Sequence, residues 1–507
     1  MLVYGDSSES VDPAELLTAI GETLDAVAPM PPGLERHSAL IAALIETGRL
    51  LQGVEDAGAA GGDQVSTFLG QLAGAALRSW DSGFGSLGDL PPVPSIRLPD
   101  EVTLRVPEGF AYYAVYPEAY ADAARRLRLR RPPRVIGIRS IGTTLGAIVA
   151  AALGAPPPIT VRPFGDPFAR QVRLAGSVLE GDPHFVIVDE GPGLSGSSFG
   201  AVACWLEQRG VPLDRIAFLP SHSGDPGPQA SEENRERWKR AQRVAGELNP
   251  KWLTARFGQL GRLQRGEQIK FLANEGRDRL LLKFAGLGKL GKRKLQMAKA
   301  LYSAGLGPKP VGLLHGFLAE QWCEPAHPLG AADRPVAQIA HYIATRANLF
   351  PADDTSGASL DELAQMARRN ISLALGADWA ASVPTPQVAV FRRVRTDNRL
   401  DRDKWLRLPN GDLLKTDALD HHQSHDLVGC QNPAWDVAGA IVEFELDQAE
   451  AEHLISESGP HVERGLLGFH LIAYAGFRLG QAVLRLEGGK AVARYRRYLQ
   501  PLLRRPQ

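Results

Sequence analysis

The chain carries no net charge, since 57 Lys and Arg stand against 57 Asp and Glu in 507 residues. No global field therefore recruits nucleic acid or an acidic membrane surface. Cysteine is scarce: Cys204, Cys323 and Cys430 are far apart, odd in number and without CxxC spacing, which excludes a disulfide framework. They read as buried apolar residues of a reducing compartment. No apolar run approaches the ~20 residues of a membrane helix, and the opening MLVYGDSSES lacks a basic-then-apolar leader. No G-x-S-x-G elbow precedes a fitting Asp and His, and no helical HExxH is present. The expectation is a soluble cytoplasmic protein that handles small molecules, with no membrane partner and no clear nucleic-acid partner.

Length suggests roughly three structural units. From Asp12 to about Leu77 apolar residues recur at helical spacing, opened by an Asp12-Pro13 cap and broken by MPPG. Arg36 and His37 in this segment are read as surface or core residues. Asp81 to Pro99 is a Gly/Pro-rich arm. From Pro107 to His222 short apolar strands alternate with helices, which predicts a mostly parallel sheet covered on both faces. The charged stretch SEENRERWKRAQRVAGEL is expected to be a helical connector. QIKFLANEGRDRLLLKFAG then predicts two strands around a polar turn, followed by helix, turn and hairpin in LQMAKALYSAGLGPKPVGLLHGFLAEQW.

One stretch organises the first half. FVIVDEGPGLSGSSF, Phe185 to Phe199, is a buried strand closed by two acids and followed by a Gly/Ser loop that opens a helix. Small residues let backbone N–H groups converge on an anion at a helix N-terminus. The acids add a second function at the strand end, suited to sugar hydroxyls. The stretch resembles the 5-phosphoribosyl-1-pyrophosphate (PRPP) signature of type I phosphoribosyltransferases, with Ser for the common Thr and a spacer one residue longer than usual. That resemblance implies that Asp189 and Glu190 hold the ribose hydroxyls and steady a cationic sugar. It implies further that Ser195, Gly196, Ser197 and Ser198 hold the 5′-phosphate. A second turn at a strand end, Arg139, Ser140, Ile141, Gly142, Thr143 and Thr144, resembles the family's pyrophosphate loop, and a guanidinium such as that of Arg139 can bind two phosphoryl oxygens. RPFGDPFARQVRLAGSVLEGDPH occupies the place of the family's mobile hood, with Arg162, Arg170 and Arg173 as candidates for charge neutralisation.

The second half resembles small-molecule kinases of the aminoglycoside and choline kinase type. The resemblance implies an ATP-phosphate lysine at Lys283, an acidic hinge at Glu320, a catalytic Asp397, and magnesium ligands at Asp417 and Asp403. Asn432-Pro433-Ala434-Trp435-Asp436-Val437-Ala438 matches the family's closing motif. The usual glutamate partner of the strand lysine is replaced by Lys294 or Gln296, and the metal-binding asparagine has no clear counterpart. Asp420-His421-His422-Gln423-Ser424-His425-Asp426 reads as loop histidines near this site, with a zinc centre as the alternative.

The expected fold is α/β: a parallel-sheet phosphoribosyltransferase-type domain with a helical N-terminal extension, then a bilobal α+β kinase-like domain. The expected divisions are 1–80 helical extension, 81–228 transferase-type domain, 229–255 helical connector, 256–330 kinase-like N-lobe and 331–507 helical C-lobe. The function implied is transfer of phosphoribosyl from Mg-PRPP to a nitrogen of an unknown base or amine, coupled to an ATP-dependent phosphotransferase. Mg2+ would be the metal, PRPP and ATP the cosubstrates, and a homodimer is compatible with the family. The rival readings are a non-catalytic PRPP or nucleotide sensor with a degenerate kinase-like half, and a hydrolase or lyase using the same loops.

Overall fold

The computed structural model describes residues 8–263, 269–386, 391–423, 428–484 and 489–503. They form two compact units: a first of Ser8–Arg293 with Val311–Ala319, and a second of Lys294–Pro310 with Glu320–Gln507. Among the described residues no helix is long and apolar enough to cross a membrane.

The first unit opens with three helices, Pro13–Val27, Leu34–Asp56 and Gly62–Asp81. The Asp12 carboxylate accepts from the Ala14 and Glu15 amides and Pro13 occupies the first turn, so the helix starts where its cap residues put it. Leu40, Leu44, Phe68 and Leu72 from these helices share one core with Val135, Leu145 and Val186 from the segment that follows.

That segment builds a five-stranded parallel sheet. Across it lie Ile159–Val161, Pro133–Ile138, His184–Val188, Ile216–Leu219 and Gln242–Arg243, which in chain order is second, first, third, fourth, fifth. The apolar run at Phe185 follows from burial on both faces: Val186 and Val188 join the core under the N-terminal helices, while Phe185 and Ile187 join the opposite core with Phe199 and Phe218. The expected connector helix ends early. It spans only Glu232–Arg240, and Gln242–Arg243 pairs with Ala217 and Phe218 as the last strand. The cause is tertiary: the open edge of Ile216–Leu219 needs backbone partners, and Trp238 stacks on Phe218 at 5.5 Å, drawing the chain onto that edge.

The expected boundary at 255 is not where this unit ends. An antiparallel sheet, ordered Gly261–Leu263, Lys270–Glu275, Asp278–Phe284, Phe317–Gln321, Pro310–Leu314, contributes Phe271, Leu280, Phe284 and Phe317 to the same core as Leu40, Phe110 and Tyr116. An isolated sheet with one apolar face must cover it, and here the cover comes from the preceding helices and loops.

The second unit is mainly helical. Helices Leu360–Leu375, Ala434–Phe444, Arg464–Leu484 and Gly489–Leu503 enclose a core that includes Leu363, Trp435, Tyr474 and Leu499. Ser359 and Glu362 form a reciprocal capping box at the start of the first of these. A small antiparallel sheet, His327–Pro328, Trp405–Arg407 and Leu413–Lys415, supports the loops described next.

Candidate functional site

In the first unit the Pro133–Ile138 and His184–Val188 strands are hydrogen-bonded neighbours, and the chain leaves them toward opposite edges of the sheet. The crevice beyond the C-terminal ends of such a pair is where open α/β sheets bind ligands. Both loops singled out in the sequence leave from those ends. Ser140 is held at φ 101° and ψ −105°, a strained backbone for a residue with a side chain. The turn is also pressed against the sheet: a Cβ on Gly137 would lie 2.2 Å from the Gly142 carbonyl, and one on Gly142 would lie 2.6 Å from the Val188 carbonyl. Ile141 and Thr143 are buried, and Thr143 Oγ1 has no hydrogen-bond partner among the described residues.

At the other loop, the Tyr120 hydroxyl donates to the Asp189 carbonyl at 2.8 Å, and the Glu190 amide donates to the Asp189 carboxylate at 2.8 Å. Burial pushes the Asp189 carboxyl up to about 7, against the pull of that amide and of Arg162. Glu190 lines a cavity of about 710 Å3 together with Glu108, Tyr113, His222 and Arg262. Gly196 takes φ 64°, which sets the following Ser197–Glu207 helix with its N-terminus at the loop. The Ser195 hydroxyl donates to Ser197 Oγ at 2.9 Å, and the Ser197 hydroxyl donates to the Pro167 carbonyl at 2.7 Å. Pro167 is the turn of a hairpin, Phe164–Asp166 with Ala169–Gln171, in the segment read as a hood. Ser198 is half-buried beside them.

The guanidinium of Arg139 is already engaged. It donates to Glu55 Oε2 at 2.8 Å, Asp56 Oδ1 at 3.2 Å and Thr160 Oγ1 at 2.9 Å. Arg162 pairs with the same Asp56 and donates to the Arg139 carbonyl at 2.9 Å. Burial raises Asp56, and Arg162 and Arg139 more than offset it, so its carboxyl lies below the ordinary value. Arg173 lies over the Phe164 ring, 4.8 Å from its centroid. These three guanidiniums are thus already held by carboxylates or over a ring.

In the second unit Asp397 is completely buried. Its Oδ2 meets Lys415 Nζ at 3.1 Å and the Tyr342 hydroxyl at 2.5 Å, and His421 Nδ1 lies 3.5 Å from Oδ1. Burial raises its pKa, but Lys415, His421 and Arg346 outweigh that and hold the carboxyl well below the usual carboxylate range. The loop itself is fixed by Asp436, whose two oxygens accept from the Asp397 and Asn398 amides at 2.8 and 2.9 Å. Burial and the charge of Asp397 push Asp436 up to about 6. Buried Arg346 donates to the Arg395, Thr396 and Ala418 carbonyls, tying this loop to the segment that carries Asp417.

Asp417, at φ 57°, comes together with Asp420 and His421 so that one ligand atom of each lies within 4.8 Å of the others. Lys294 Nζ is 3.2 Å from Asp420. Asp403 is not part of that group: its side chain is 69% exposed and pairs with Lys404. Lys283 is buried on the Asp278–Phe284 strand opposite Lys270 in the first unit, whereas buried Glu320 belongs to the second. His422 is buried, with neither ring nitrogen bonded among the described residues, and burial lowers its pKa well below the ordinary imidazole value. Ser424, His425 and Asp426 lie outside the described residues.

Sequence reasoning assigned no role to Lys415, Tyr342 or Arg346, and placed Asp436 only within the closing motif. Lys415 ends the strand Leu413–Lys415 two residues before Asp417, and that nearness was the one signal for it. Tyr342 and Arg346 had none, since one helical turn carries no mark of the loop it will meet.

No family model and no curated protein matches the chain. Solved structures do share distant likeness. The choline kinase LicA from Streptococcus pneumoniae is 18% identical over 50% of this chain and 96% of its own, with a TM-score of 0.35. A choline/ethanolamine kinase family protein from Mesorhizobium loti is 14% identical over 49% of this chain and 89% of its own, with a TM-score of 0.35. A thermostable mutant of aminoglycoside phosphotransferase APH(4)-Ia is 14% identical over 50% of this chain and 98% of its own, with a TM-score of 0.33. Likeness this distant decides no function, so the reading below rests on the side chains.

Proposed function

We propose that the second unit is a Mg-ATP-dependent phosphotransferase acting on a small-molecule hydroxyl. The observation that carries this reading is the fixation of Asp397, directly by Lys415 and through its loop backbone by Asp436, in a segment tied to the Asp417, Asp420 and His421 group. The two carboxylates of that group fit a hard divalent cation, which favours oxygen ligands. Magnesium held there would neutralise phosphate charge. Asp397 stays ionised at neutral pH, so its part is to accept a hydrogen bond from the acceptor hydroxyl and fix its direction, with modest demand for early proton removal. Lys294, placed beside Asp420, supplies a cation where the kinase pattern has a glutamate. Purified protein with labelled ATP, magnesium and a panel of amino alcohols, sugars and aminoglycosides tests this: transfer to one acceptor, lost in Asp397→Asn, supports it. The cover of Lys415 and Tyr342 over Asp397 favours a second reading, a degenerate binder; nucleotide binding by calorimetry without transfer to any acceptor would establish that one.

For the first unit we infer a PRPP site. Two phosphate-type loops at one switch point, with Asp189 and Glu190 at the strand end between them, support it. The amides from Ser195 to Ser198 suit the 5′-phosphate, the Ser140 to Thr143 turn suits pyrophosphate, and the acids suit the ribose hydroxyls and a developing sugar cation. In the reaction the bond from C1′ to pyrophosphate breaks and a bond from C1′ to the acceptor nitrogen forms. Pyrophosphate release from Mg-PRPP against a panel of bases and amines tests it, with Asp189→Asn/Glu190→Gln as control. Binding of PRPP with no release for any acceptor would move the sensor reading ahead.

A further inference from the structure

Three segments of the first unit converge on a buried cluster that neither proposed reaction uses. His37 comes from the Leu34–Asp56 helix, Glu118 from the Pro117–Ala124 helix, and His315 from the turn before the Phe317–Gln321 strand. All three are at most 4% exposed. Glu118 Oε1 lies 2.6 Å from His37 Nε2 and 3.0 Å from His315 Nε2. Glu118 Oε2 is buried and has no hydrogen-bond partner among the described residues. His315 is held at φ 43°, a strained backbone for a non-glycine residue, and its carbonyl accepts from the Tyr116 hydroxyl at 2.7 Å.

We propose that His37, Glu118 and His315 form a binding site for one divalent transition-metal ion of the zinc class. Two imidazoles and a carboxylate facing one another are a borderline N/O donor set with a fourth position left over. One ligand atom of each residue lies within 4.8 Å of the others, and ligands at ~2.0–2.2 Å from a tetrahedral zinc stand about 3.4 Å apart. Small side-chain movements therefore suffice. The outer shell is in place as well: His37 Nδ1 meets Ser79 Oγ at 2.9 Å and His315 Nδ1 meets Ser38 Oγ at 2.8 Å. A hydroxyl both donates and accepts. The same serine contacts thus serve the metal-free imidazoles, whose Nε2–H groups face the carboxylate, and the loaded ones, whose Nδ1–H groups would donate to serine. Among the described residues the ion-pair partners of the Glu118 carboxylate are these two imidazoles. Of the three residues, Glu118 borders a cavity of about 820 Å3 that Tyr116, Asp122 and Trp80 also line, and this is the side from which an ion would enter.

The test uses the full chain, stripped with chelator and equilibrated with Zn2+ or Co2+. Expected is one tightly bound equivalent, with the intense visible bands of low-coordinate Co2+, retained in Asp417→Asn, which alters the other candidate cation group. Glu118→Gln and His315→Gln should each lose it, and Ser38→Ala should weaken it by roughly 10–100-fold. If His315→Gln does not fold, Glu118→Gln and Ser38→Ala decide. Equal metal content in wild type and Glu118→Gln, or only the weak bands of six-coordinate Co2+, overturns the proposal.

Discussion

Replacing Asp189 by Asn should stabilise the first unit, by an amount that grows from about pH 4 and is complete above about pH 7. The Asp189 carboxyl, half-buried at the end of a fully buried strand, is pushed by burial from the ordinary 3.8 to about 7. A carboxyl raised in the folded state is protonated there while the unfolded chain has already ionised, so stability falls as pH rises from about 4 and levels off above about 7. At ~1.36 kcal/mol per pH unit the full displacement is on the order of 4 kcal/mol, of which about 2.5 kcal/mol is lost between pH 5 and pH 8. Part of the side chain remains in contact with solvent, so these figures are upper bounds. For a unit of this size ~2.5 kcal/mol corresponds to roughly 5 °C in melting temperature. Scanning calorimetry of wild type and Asp189→Asn at pH 5 and pH 8 reads it as a difference of differences. The variant should fail to show the wild-type loss. Parallel pH dependence in the two proteins would refute the reasoning, and with it the idea that the site holds an acid at a cost to the fold.

Asp436→Ala should leave the Asp397 and Asn398 amides buried without acceptors, costing about 2–5 kcal/mol in the second unit. Phosphotransfer should fall at least ~100-fold once the loop is displaced, and unfolding and activity assays on the one variant read both. Gly142→Ala puts a methyl group 2.6 Å from the Val188 carbonyl, so a destabilisation of about 1–3 kcal/mol or more and loss of PRPP binding by calorimetry are expected together. Ser359→Ala removes a capping box whose side-chain bonds stay between Ser359 and Glu362, while the neighbouring Ala358 backbone keeps its bonds to Val428 and Arg393; about 1 kcal/mol of stability should go, while kcat for phosphotransfer should not change.

Local chemistry was readable in advance wherever it is written in adjacent residues. The Asp12-Pro13 cap, the strand at Phe185, the strand at Ile216–Leu219 and the hairpin strands around Gly276 all follow from periodicity and turn residues, and the structure contains them. The loops carrying Asp189, Glu190, Ser140 and Gly142 were found the same way, because a phosphate-type turn must keep its small residues next to its strand. The short strand Gln242–Arg243 was missed, since two polar residues become a strand only when an unpaired edge lies beside them. Arg139 shows the same limit: its sequence context suits phosphate, while Glu55 and Asp56, more than eighty positions away, take its guanidinium.

The sequence by itself determined the longer apolar strands and capped helices, the parallel sheet with two covered faces, and the loops and acids that mark both candidate sites. These depend on neighbours within a few residues, where spacing and backbone freedom act directly. Tertiary structure alone decided that the strands after residue 256 share a core with the N-terminal helices, that Asp420 and His421 rather than Asp403 join Asp417, and that His37, Glu118 and His315 meet. Burial and charge pairing act over distances in space, and the separation of residues along the chain carries no record of them.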